Sequence, residues 1–123
     1  MLRCIKVAEL PVADQDRAIH FYTEKVGLKV VQDARYQDDW RWVELEIAGA
    51  ETRIVLTKRS DKDETDAPRM VLVADDVNQT YQDLKKRGVN FTKEPAQAPW
   101  NPAETFAQFR DSEGNGIVIS SGG

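Results

Sequence analysis

Imidazole and thiol groups are nearly absent from this chain, and the scarcity is informative. Its 123 residues hold one histidine, His20, and one cysteine, Cys4. A histidine-rich metal centre therefore cannot form within one protomer, and no internal disulfide can close. His20 falls opposite the apolar stripe of its expected helix and reads as a surface residue, whereas Cys4 reads as a small core residue. Among the carboxylates Glu9 is the one to weigh, if its strand places it among the valines of a pocket. A carboxylate in such surroundings is the candidate proton donor or acceptor. Trp40 and Trp42 alternate along WRWVELEI, and Trp100 lies in the proline-flanked APWNP. The net charge of −4 argues against nucleic acid as a partner, since phosphate binding needs a basic face. The basic clump Lys85-Lys86-Arg87 is expected in a last helical turn, where it complements the helix dipole.

The elements that must position these groups come in two similar copies. ELPVADQDRAIHFYTEKVGLKV reappears in outline as MVLVADDVNQTYQDLKKRGVNF, laying Val12-Ala13-Asp14 on Val73-Ala74-Asp75 and Gly27-Leu28 on Gly88-Val89. Each copy reads strand, acidic turn, amphipathic helix, glycine stop, strand. The first helix is expected at about residues 15–26, with Asp14 as N-cap and a stripe of Ala18, Ile19, Tyr22 and Val26. The second is capped by Asp75 or Asp76 and buries Val77, Tyr81 and Leu84. Strands are expected at 4–10, 28–33, about 40–48, about 52–58, 70–73, GVNFTKE, TFAQFRD and IVISS, with PAQAPWNPAE as a proline-rich loop. The order is βαβββ twice: a module at 1–58, a charged linker at 59–68 and a module at 69–121, together one domain. The expected class is α+β, a curved mixed sheet with helices on one face and a concave pocket on the other. No apolar run approaches the roughly 20 residues that cross a bilayer. The start MLRCIKV is not a secretory signal, and a reducing cytoplasm is the expected home.

The motifs PVADQDRAIHFYTEKVGL, ADDVNQTYQDLKKRGVNF and FRDSEGNGIVI resemble those of the vicinal oxygen chelate superfamily of glyoxalase I, bleomycin resistance proteins and extradiol dioxygenases. The resemblance spans essentially the whole chain. It implies βαβββ modules, commonly in a homodimer, and in metal-using members four ligand positions. Carried over, these fall on Val7, Val55, Arg69 (or Pro68, if a one-residue ambiguity is resolved the other way) and Val118. None of these side chains suits a divalent cation. No metal and no cofactor are therefore expected.

If those four positions line the concavity, strand alternation adds Ile5, Glu9, Arg53, Thr57, Val71, Val73 and Ser120. It places Val43, Leu45, Ile47 and Phe109 beneath helices, and Trp40, Trp42, Glu44, Glu46, Phe106, Gln108 and Arg110 on the pocket side. The candidate ligand-binding set is thus Val7, Trp40, Trp42, Arg53, Val55, Arg69, Trp100, Phe106 and Val118, with Glu9 as the candidate catalytic residue. Several readings stay open. Trp40 and Trp42 form a ligand wall or a dimer interface, Trp100 is a lid or a loop anchor, and Arg69 binds a ligand anion or pairs with Glu9. The leading expectation is metal-independent binding of a small apolar or aromatic molecule with an anionic or polar handle, as in sequestration. The alternatives are a lyase or isomerase using Glu9, a metal-dependent lyase or dioxygenase, and a regulatory module acting through protein contacts. No membrane partner is expected.

Overall fold

The computed structural model describes residues 1–60 and 65–122, and of residues 65 and 66 the backbone alone. The chain divides into two compact units, Met1–Lys62 and Asp63–Gly123. In the first, strand β1 (Val7–Val12) leads into helix α1 (Gln15–His20), which continues as a π-helical segment (Phe21–Val26). Strands β2 (Lys29–Gln37), β3 (Trp40–Glu46) and β4 (Arg53–Lys58) follow. They form a four-stranded sheet in the order β1-β4-β3-β2, with β1 parallel to β4 and the other pairs antiparallel.

The second unit repeats the plan with β5 (Thr65–Val73), α2 (Val77–Lys86), β6 (Asn90–Ala98), β7 (Asn101–Arg110) and β8 (Asn115–Ser120). Its sheet runs β5-β8-β7-β6, again with the first pair parallel. The α+β class and the βαβββ order are as expected. β5 begins within the stretch 59–68 that reads as a linker, and residues 61–64 of that stretch lie outside the described residues.

Each helix starts on an aspartate. The Asp14 carboxylate accepts the N–H of Arg17, and the Asp76 carboxylate accepts that of Gln79, both at 3.0 Å. Each satisfies an amide that the first turn leaves without an intrahelical partner. Each helix stops at a left-handed glycine, Gly27 at φ 94° and Gly88 at φ 88°. The span from cap to glycine is one residue longer in the first unit, 14 to 27 against 76 to 88. The π-helical segment takes up that surplus: Gly27 N–H bonds back to Tyr22 O, and Thr23 Oγ1 donates to Ile19 O at 2.7 Å. The wider turn also shifts the buried stripe. Gln15, Ala18, Phe21 and Tyr22 are buried, while Ile19 and Val26 are only partly so.

Packing follows strand alternation. Leu10, Val12, Val43, Leu45, Ile54 and Leu56 are buried on the helix side of the first sheet. In the second unit Tyr81 of α2 meets Phe91 edge-on at 4.7 Å, and Phe91 meets Phe109 at 5.5 Å. Three expectations need correction. Cys4 is exposed, because it precedes β1 instead of lying within it. Ile47 lies past the end of β3 and is exposed as well. The proline-rich loop is a hairpin: β6 runs to Ala98, which pairs with Asn101 across a Pro99-Trp100 turn.

Candidate functional site

Register sets out the helix-free face of the first sheet row by row. Val7 pairs with Arg53, Glu9 with Val55, Val55 with Glu44, and Glu44 with Gln32. Paired residues share a face, so Glu9, Val55, Glu44 and Gln32 form one row across four strands. Trp42 pairs with Ala34 one step along β3, and Tyr36 on β2 meets Trp42 edge-on, centroids 5.4 Å apart at 68°. Glu9, Tyr36, Trp40, Trp42, Val55 and Thr57 line a hollow of about 250 Å³. That is near the lower end of the range for small-molecule sites.

Both indole N–H groups in this hollow are used within the protein. Trp40 Nε1 donates to Leu56 O at 3.1 Å, and Trp42 Nε1 donates to Glu44 Oε2 at 2.6 Å. Glu44 is buried, 3% exposed, and its other oxygen faces Arg53 Nη1 at 3.4 Å. A buried carboxylate needs such partners. Arg53, one of the candidate ligand-binding residues, is thus already engaged.

Among the described residues two other cations border the hollow, and both come from the opposite strand parity. Arg41 is bound by Asp16 and Asp33 at 2.8 and 3.0 Å. The hydrogen bond to Asp16 is the main reason its guanidinium is held above its ordinary value. Lys58 contacts Asp39 at 2.8 Å. Its hydrogen bond, and then its charge, hold the Asp39 carboxyl below the usual value. Glu9, by contrast, is exposed, and its carboxylate has no hydrogen-bond or ion-pair partner among the described residues.

The second unit presents a different face. Val71, Val118, Gln108 and Lys93 form one row, and Val73, Ser120, Phe106 and Ala96 the next. Gln108 occupies the place that Glu44 holds in the first unit and is equally buried, at 3%. Phe106, Val118 and Ala98 cluster together, with Val71 and Val73 exposed beside them. Trp100, at the hairpin tip, tilts over Phe106 at 5.0 Å and donates to Glu104 Oε1 at 2.9 Å, and Glu104 also accepts from Ser120 Oγ.

The candidate residues therefore fall into two sets. Val7, Glu9, Trp40, Trp42, Arg53 and Val55 share one face of the first sheet, and Phe106 and Val118 share one face of the second. Trp100 joins Phe106 through the hairpin, and Arg69 is exposed on β5. Arg69 sits where Pro68 and Met70 pair with the adjacent Gly116 and Ile117. It is the extra residue of a bulge, so strand alternation does not fix its direction. Sequence reasoning did not single out Tyr36, which lies in the exposed last part of β2, nor Glu104. Glu44 was placed on this face, but nothing in the sequence marks it as buried. Among the described residues no three His, Cys, Asp or Glu side chains group to hold a metal ion. No described helix is long and apolar enough to cross a membrane.

Known proteins resemble this chain in sequence and in fold. YetH, an uncharacterized protein of Bacillus subtilis (strain 168), is 34% identical over 97% of this chain and 98% of its own. A glyoxalase/bleomycin resistance protein/dioxygenase superfamily member from Sphaerobacter thermophilus DSM 20745 is 28% identical with a TM-score of 0.84, covering 97% of each chain. TnmS3, an antibiotic binding protein from Streptomyces sp. CB03234, is 29% identical with a TM-score of 0.79, covering 96% of this chain and 94% of its own. The model of the Glyoxalase/Bleomycin resistance protein/Dioxygenase superfamily matches residues 5–119, and the chain belongs to that superfamily.

Proposed function

We propose that this protein binds a small apolar or aromatic molecule bearing a polar handle, without a metal ion, and sequesters it. The observation that carries this reading is the hollow of the first unit, where Tyr36, Trp40 and Trp42 surround Val55. Aromatic walls with a few polar groups suit organic guests. The antibiotic-binding description of TnmS3 supports the same class of role. Val7, Val55, Arg69 and Val118 offer no imidazole, thiolate or carboxylate, so the residues at the four carried-over positions do not fit a divalent ion. The same reading has the protein working as a homodimer in the cytoplasm, with neither nucleic acid nor membrane as partner.

A lyase or isomerase acting through Glu9 draws less support. Glu9 is exposed, and among the described residues nothing orients its carboxylate for proton transfer. The test is calorimetric titration with the neutral aromatic alcohol 1-naphthylmethanol, alongside elemental analysis of the purified protein. Saturable binding, weakened by Trp42→Ala, in a preparation without stoichiometric zinc, nickel, iron or manganese is expected. Stoichiometric metal would overturn the proposal, and so would failure of the alcohol and of its charged analogues alike to bind saturably.

A further inference from the structure

We infer that the guest of the first unit's hollow carries a positive charge, as an aromatic or alkyl ammonium compound. This rests on the proposed function for the same hollow and names the chemistry of the handle. The groups left over once the protein has satisfied its own donors and charges point to it. Trp40 and Trp42 have spent their N–H donors on Leu56 O and Glu44. What they offer a guest is π surface, and Tyr36 adds a third ring at the same wall. The face of an indole attracts cations through its quadrupole.

Charge points the same way. Among the described residues, the two cations that line the hollow and the arginine beside its row each hold a carboxylate: Arg41 holds Asp16 and Asp33, Lys58 holds Asp39, and Arg53 holds Glu44. An anionic guest would meet cations already neutralised by carboxylates, and taking Arg53 for itself would strip a buried carboxylate of its counter-charge. Glu9 is the charged side chain that this face sends to the hollow with no partner among the described residues. An ammonium guest would lie against the rings and complete that carboxylate, leaving every internal ion pair intact.

Three probes of one shape decide the matter: 1-naphthylmethylammonium, 1-naphthylmethanol and 1-naphthoate, titrated calorimetrically into the full chain. The cation is expected to bind about tenfold more tightly than the alcohol, and the carboxylate more weakly than either. The ratio of cation to alcohol affinity should shrink at about 0.5 M salt, where charge attraction is screened. Glu9→Gln, with folding checked by circular dichroism, should bring that ratio to within about twofold. Naphthoate equalling or exceeding the ammonium probe overturns the inference and leaves the proposed function standing. A wild-type ratio near one, or one insensitive to salt, does the same. A ratio unchanged in Glu9→Gln removes Glu9 as the charge partner and overturns the inference as stated. Failure of all three probes to bind overturns the proposed function as well.

Discussion

Trp42 donates its indole N–H to Glu44, two residues further along the same strand, at 2.6 Å. Residues so spaced share a face of a strand, so tryptophan and carboxylate lie side by side on the sheet. Arg53 on the neighbouring strand completes the arrangement from the other carboxylate oxygen. A negative charge thus sits buried in the helix-free face, fixed by one neutral and one charged donor.

Removing it should be costly. Glu44→Ala leaves an indole N–H and a guanidinium without their acceptor, and a loss of about 1–3 kcal/mol in unfolding free energy is expected by urea denaturation. Glu44→Gln keeps an acceptor for Trp42 and should lose less. Equal stability of the alanine variant and the wild type would show that the pair holds nothing.

The two helix starts offer a matched pair of experiments. Asp14→Ala and Asp76→Ala each remove an acceptor at 3.0 Å from a first-turn amide. Each should reduce stability by about 1 kcal/mol, and serine at the same position should restore most of it. Thermal unfolding with all variants in one buffer reads both effects.

At the hairpin tip, Trp100 is 58% exposed yet holds Glu104 and covers Phe106. Trp100→Phe keeps a ring over Phe106 and gives up the hydrogen bond, whereas Trp100→Ala gives up both. The alanine variant is expected to be the less stable of the two, by about 0.5–1.5 kcal/mol. Amide exchange across residues 96–103 should accelerate more in Trp100→Ala than in Trp100→Phe.

Asp39 and Lys58 make a pair of another kind, since both side chains are largely exposed. Asp39→Asn should leave the neutral-pH melting temperature within error, because solvent screens such a contact. The sign of its pH dependence is fixed all the same. The folded carboxyl is held below its usual value, so any stabilisation exists above that value and fades as pH falls through the lowered one. Carboxyl titration by NMR should place Asp39 higher in Lys58→Met than in the wild type.

Much of this was readable from residue types alone. Asp14, the two glycine stops and the alternation of Trp40, Trp42 and Glu44 against Val43 and Leu45 follow from local rules that tertiary packing did not override. The 95–104 segment misleads because its prolines read as loop markers. Pro95 lies on β6, an edge strand, and Pro102 lies where β7 has not yet reached β8. Neither position demands the amide that proline lacks. The bulge at Arg69 hides for a different reason, since an inserted residue leaves no signature in composition. The burial of Glu44 is equally silent, because its partners come from register: Arg53 lies nine positions away in sequence and one strand away in space.

The π-helical segment Phe21–Val26 makes the duplicated halves unequal spare parts. A graft of residues 76–88 in place of 14–27 would arrive a residue short, and closing the gap would draw β2 backward against β3. Since every side chain on a strand changes sides with a one-residue slip, Ala34 and Gln32 would leave the row beside Trp42 and Glu44. A surplus amino acid in a helix therefore helps decide which side chains of β2 stand beside Trp42 and Glu44.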